Sequence, residues 1–231
     1  MTTRSRPTRL LASVAAGALL LHGCAARQAQ PVDVPATSSR PPAGTIAARP
    51  GRPGFVVAAP PGGRDVNTDD MTVEIARRTG FGLVVATGLS TEPGGPVAEA
   101  YAKRVLEAAQ GPLRFYAEIH GDNRTECAGR IEIATVGVDR ELALRLRALA
   151  ELIRDAHLRA NLEIQRLDVL IEPADVVAYR ASGARRDDIL RLTQRALHIE
   201  LPRCARRDWR ETYTAVLADF LLQATSLPVG R

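Results

Sequence analysis

The sequence predicts an α/β fold, a three-layer sandwich in which helices cover both faces of a mixed, largely parallel sheet. Two observations carry this. From Phe55 onward, short apolar runs enriched in Val and Ile alternate with segments of helical periodicity. No internal repeat is visible, and the part beyond residue 53 has the size of one domain with a real core.

The elements follow in order. Strands are expected at Phe55–Ala59, Leu83–Thr87, Leu113–Ile119, Arg130–Val136, Leu167–Ile171 and Leu197–Leu201, where β-branched and other apolar residues cluster. Between them lie helical segments. Asp69–Thr79 opens with two aspartates that suit the positive end of a helix dipole, and Val97–Gln110 follows the second strand. In Asp139–Ala160, Leu142, Leu146, Leu149, Ile153 and Ala156 form a stripe at helical spacing. Asp187–Arg195 is shorter, and Asp208–Ala224 closes the series with Trp209, Tyr213, Val216 and Phe220 to bury. His157 is read as a solvated last-turn residue, favourable to the helix dipole when charged.

The first residues have a different character. Arg4, Arg6 and Arg9 precede the short apolar run Leu10–Leu21, which suits a signal-peptide core better than a membrane-spanning helix. Leu21-His22-Gly23-Cys24 then resembles the lipoprotein signal-peptidase box. Residues 1–23 are therefore expected to be cleaved, with Cys24 lipidated by palmitate-type chains and anchoring the protein to a membrane. An ordinary secretory leader with an incidental cysteine is the alternative. Ala25, rather than Asp, after the cysteine favours the outer membrane of a bacterial envelope. Residues 24–53 carry Pro31, Pro35, Pro41, Pro42, Pro50 and Pro53 among small residues and are expected to form a tether. Residues 54–231 form the folded domain.

Composition narrows the partners. The formal charge of +5 falls to +2 when the three leader arginines are removed, and few aromatics are present to stack bases. Nucleic acid is therefore excluded. The Arg185-Arg186 and Arg206-Arg207 pairs read as solvated faces. With Cys24 lipidated, Cys127 and Cys204 remain as a candidate disulfide in an oxidising compartment.

Chemistry concentrates in three segments at strand ends, where loops of an α/β sheet converge. They are Pro60-Pro61-Gly62-Gly63-Arg64-Asp65-Val66-Asn67-Thr68-Asp69, Tyr116-Ala117-Glu118-Ile119-His120-Gly121-Asp122-Asn123-Arg124, and Leu197-His198-Ile199-Glu200-Leu201-Pro202-Arg203. Strand alternation puts Glu118 with His120 on one face, and His198 with Glu200 on one face.

These segments, in this order and spacing, resemble the N-formylglutamate amidohydrolase and poly-γ-glutamate hydrolase group, related in fold to zinc carboxypeptidases. The likeness runs from about Phe55 to Leu222, with EIHG, IEIATVG and LHIELPR as its most specific parts. It implies a zinc-peptidase-like fold, with zinc held by Asp65 and His120 and with Glu200 as acid/base on a zinc-bound water. Arg124 and Arg203 are then the expected substrate-binding cations, and the substrate is an N-acyl amino acid or glutamyl amide.

Two departures matter. Pro61 stands where the group has its first histidine ligand, and residues 88–97 lack the group's Asn-Arg pair that grips the substrate carboxylate. Two ligands imply weak zinc binding and low amidase activity, and Pro61→His is expected to raise zinc content. A thiolate of Cys127 or Cys204 in the missing ligand's place competes with the disulfide. Asp65 serves equally well as a turn or helix cap. His120 and Glu200 also read as satisfied structural groups, and His198 is assigned a structural role. The alternative function is a non-catalytic lipoprotein that binds a ligand or partner on the same fold.

Overall fold

The computed structural model describes residues 44–61, 66–89, 95–122, 127–178 and 189–228. Seven strands form one sheet: β1 Thr45–Arg49, β2 Arg52–Ala59, β3 Phe81–Thr87, β4 Phe115–Gly121, β5 Arg130–Val136, β6 Asp168–Ile171 and β7 Arg195–Leu201. Their order is β1-β3-β2-β4-β7-β5-β6. The β2–β3, β2–β4, β4–β7 and β5–β6 pairs are parallel, whereas β1–β3 and β5–β7 are antiparallel. This is the mixed, largely parallel sheet expected.

Helices α1 Thr68–Thr79, α3 Arg140–Leu158 and α5 Arg210–Ala224 pack on one face; α2 Pro96–Ala109 and a 3-10 turn, Ile189–Leu192, cover the other. A one-turn helix, α4 Arg203–Arg206, leads from β7 towards α5. Strand alternation sorts the side chains between the layers. In β4, Phe115, Ala117 and Ile119 enter the larger core under α1, α3 and α5, while Tyr116 enters the smaller core under α2. In β7, Leu197, Ile199 and Leu201 take the first face and Ala196 the second. No described helix is long and apolar enough to cross a membrane.

Local chemistry explains the helix ends. Asp69 and Asp70 lie in the first turn of α1, and Gly80, at φ 71°, ends it by donating its N–H to the Ala76 carbonyl. Asp139 caps α3 by accepting from the Leu142 N–H at 2.7 Å. The buried Tyr213 of α5 ties that helix to the segment before β6: its hydroxyl donates to the Gln165 carbonyl at 2.6 Å and accepts the Leu167 N–H at 3.0 Å.

Several expectations are corrected. The tether was read too far: residues 45–49 form β1 against β3, whose outer edge would otherwise be open. No proline falls between Pro42 and Pro50, so Thr45 and Ile46 are able to pair. The strand expected at Leu113–Ile119 begins instead at Phe115 and extends through Gly121, which places His120 inside the strand. The expected helix Asp187–Arg195 is replaced, in its described part, by the 3-10 turn and the start of β7. Arg195 is drawn into the sheet because its guanidinium donates to the Ala224 and Leu227 carbonyls at 2.9 and 3.0 Å. His157 is not simply solvated, since its Nε2 lies 2.8 Å from Asp219 Oδ2 and joins α3 to α5.

Arg206 is the largest reversal of a surface reading. It is 4% exposed and donates to three carbonyls: Leu201 through Nε at 3.1 Å, Val66 through Nη1 at 2.9 Å and Asp122 through Nη2 at 2.9 Å. Its own carbonyl accepts from Asn67 Nδ2 at 2.8 Å. Gly121 makes room for it, because a Cβ there would stand 2.4 Å from the guanidinium carbon. The expected disulfide is present: Cys127 and Cys204 are bonded with Cα atoms 5.4 Å apart, tying the chain after β4 to α4.

Candidate metal centre

Three neighbouring strands build the site. On the face beneath α2, β4 contributes Tyr116, Glu118 and His120, and β7 contributes Ala196, His198 and Glu200. Antiparallel β5 runs back along β7 and contributes Val136, Ala134 and Glu132 to the same face. The register sets His198 between Glu118 and Ala134, and Glu200 between His120 and Glu132. Polar residues thus replace apolar ones towards the C-terminal ends of β4 and β7.

His198 lies at the centre. Its Nδ1 is hydrogen-bonded to Glu118 Oε1, and its Nε2 lies 2.9 Å from Glu200 Oε1. His120 Nε2 is 3.5 Å from Glu118 Oε1, and the two imidazole rings are tilted with centroids 4.1 Å apart. Behind them, the Tyr116 hydroxyl donates to Glu118 Oε2 at 3.2 Å and lies 2.9 Å from the Tyr101 hydroxyl of α2. Glu118, His198 and Glu200 are buried, and His120 is half-buried.

Burial pushes the Glu118 carboxyl up, but the adjacent His198 and His120 outweigh it and hold the group below the usual carboxylate range. Burial and His120 push the His198 imidazole down, yet Glu118 and Glu200 prevail and raise it. His198 thus lies between the side chains of Glu118 and Glu200.

The donor set suits a divalent metal. Glu118, His120 and His198 each offer one ligand atom, all within 4.8 Å of one another. Two imidazoles and a carboxylate are a catalytic zinc set, which leaves a position for water or substrate. Glu118, His120 and His198 would hold such an ion, and it would supply Lewis-acid chemistry there.

The structure brings His120 and Glu200 together across the β4–β7 pair, and it adds Glu118 and His198 to them. Reading His198 as structural missed its place beside both. The signal was available in the repeated pattern of EIH and HIE, two same-face pairs on two strands, but only the register shows that they interlock. Pro61, just past β2, offers no donor. Asp65 and Arg124 lie outside the described residues, as does Cys24. Arg203 is exposed at the start of α4, and no described contact draws it to the cluster. The disulfide removes Cys127 and Cys204 as ligands.

No family model matches the sequence, and no curated protein matches it significantly. Solved structures do share its fold. A bacteriophage poly-γ-glutamate hydrolase is similar at a TM-score of 0.50 and 13% identity, over 79% of this chain and 87% of that one. YndL in a zinc-free form is similar at a TM-score of 0.53 and 13% identity, over 79% of this chain and 91% of that one. The chain therefore shares its α/β fold with these two proteins.

Proposed function

We propose that this protein is a metal-dependent amidohydrolase that cleaves the amide of a small N-acyl amino acid or glutamyl peptide. We further propose that lipid on Cys24 holds it at the outer membrane of a bacterial envelope. The carrying observation for the hydrolase is the Glu118–His120–His198 cluster, with Glu200 hydrogen-bonded to its central member. Support comes from the shared fold with a poly-γ-glutamate hydrolase and from the leader and Leu21–Cys24 for the anchor.

When bound, zinc supplies Lewis-acid polarisation of the amide carbonyl and lowers the pKa of its water. Glu200 receives a proton on its carboxylate and returns it to the departing amine. With one ring nitrogen on the metal, His198 would keep its Nε2 beside Glu200 and position that carboxylate. Tyr116 orients Glu118 through its second oxygen. The low-dielectric surroundings strengthen each of these interactions.

The test uses chelated protein titrated with zinc, with hydrolysis of N-acetylglutamate followed by amine release. One zinc per chain is expected. His120→Ala and His198→Ala should each weaken it about 100-fold, since each removes one of three donors. Glu200→Gln should keep the metal but lower kcat about 100-fold or more. Zinc binding unchanged in His198→Ala would sink this ligand set. Stoichiometric zinc without turnover on any acyl amino acid would favour a non-catalytic binding protein. Cys24→Ser should abolish fatty-acid labelling, and unchanged labelling would refute the anchor.

A further inference from the structure

Arg130 is the first residue of β5. Because β5 is antiparallel to β7 and Glu132 sits opposite Glu200, Arg130 lies on the same face two residues further along. That is roughly 7 Å beyond Glu200, at the outer end of the polar row.

The way Arg130 is held separates it from the structural arginines. Arg206 and Arg195 spend both terminal nitrogens on backbone carbonyls. Among the described residues, Arg130 instead donates only its Nε, to Glu132 Oε1 at 2.6 Å. Glu132 is itself anchored, since its Oε2 accepts the Ala178 N–H at 2.6 Å. The arginine side chain is 38% exposed over a carboxylate that is 2% exposed. A buried acid therefore fixes the guanidinium by its inner edge and leaves the two terminal amino groups for another partner. Two N–H groups in one plane match a carboxylate.

Resting on the amidohydrolase reading, we propose that Arg130 is the specificity-determining residue of the site, and that it receives a carboxylate of the amino acid released by hydrolysis. Arg130 stands two strand positions beyond Glu200 in the row, roughly 7 Å of backbone. An extended substrate advances at most about 3.6 Å per residue, so an acid within two residues of the scissile bond spans that separation. The substrate class is then an acyl amino acid or short acyl peptide with its carboxylate free. Internal bonds of a long chain are excluded.

The experiment compares N-acetylglutamate with its diamide, in which both carboxylates are carboxamides, on zinc-loaded protein. The wild type should favour the acid at least 100-fold in kcat/KM. Arg130→Met should reduce that ratio to within about threefold, chiefly through KM, while Arg130→Lys keeps part of it. Calorimetric binding of both compounds to the same proteins gives the second arm, and thermal melting confirms that each variant folds. A preference for the acid that survives in Arg130→Met overturns the inference, and so does equal treatment of both compounds by the wild type. If nothing is hydrolysed, the hydrolase reading fails. Binding then decides: acid-selective binding lost in Arg130→Met sustains the anchor, and unchanged or absent binding refutes it.

Discussion

His198 has both ring nitrogens turned to carboxylates, and this gives the metal-free protein a definite pH dependence. Glu118 is depressed below its ordinary 4.5, so its contribution to stability is complete above that pH and is lost as pH falls through the depressed value. His198 is raised above its ordinary 6.5, so its contribution is complete below that pH and is lost as pH rises through the raised value. Chelated protein should therefore be most stable between about 4.5 and 6.5 as far as this pair decides. Its melting temperature should decline on the alkaline side, and His198→Gln should flatten that decline. An alkaline limb of the same slope in the variant would show that His198 is not the group responsible. Tyr213 makes a simpler prediction. Its hydroxyl serves two backbone partners from a buried position, so Tyr213→Phe should cost about 2 kcal/mol in denaturant unfolding. A loss below about 0.5 kcal/mol would mean that the segment before β6 finds other partners.

Elements explain which parts of the structure were legible beforehand. The rhythm of strands and helices shows in residue periodicity, because each element must turn one face inward. The face shared by Glu118 and His120, and that shared by His198 and Glu200, are equally local facts. The meeting of those two faces is not local: it depends on β4 and β7 pairing in parallel, with Glu118 and His198 80 positions apart. β1 escaped notice for a related reason, since its strand character comes from the edge of β3. The solvated reading of Arg206 failed because nothing in an Arg-Arg pair reveals three carbonyls waiting for one of them. Arg206 and the disulfide together fix α4 against the ends of β4 and β7. Arg206→Ala should destabilise the protein by about 3 kcal/mol or more, because it removes three hydrogen bonds made by a buried guanidinium. Gly121→Ala should act in the same direction by displacing the guanidinium. Replacing Cys127 and Cys204 by serine reopens a 77-residue separation, worth about 4 kcal/mol in the chain-entropy account. Urea unfolding would check all three, and full stability in Arg206→Ala would refute the clamp.

Over the whole molecule, sheet order and chain order disagree. β7 is the last strand in the sequence, yet it stands inside the sheet between β4 and β5. The two halves, β1-β3-β2-β4 and β5-β6, have no pairing with each other until it arrives. A chain ending at Gln194 should consequently show no cooperative unfolding transition, and a cooperative transition in that fragment would contradict this account. The same placement bears on how the protein is made. While residues 195–201 are still being synthesised, β4 and β5 present unpaired edges, each a template for a foreign strand. Folding of this topology waits on a late, non-local event. A holding chaperone should therefore matter most in that interval, and the earliest aggregates should be joined through the edges of β4 and β5.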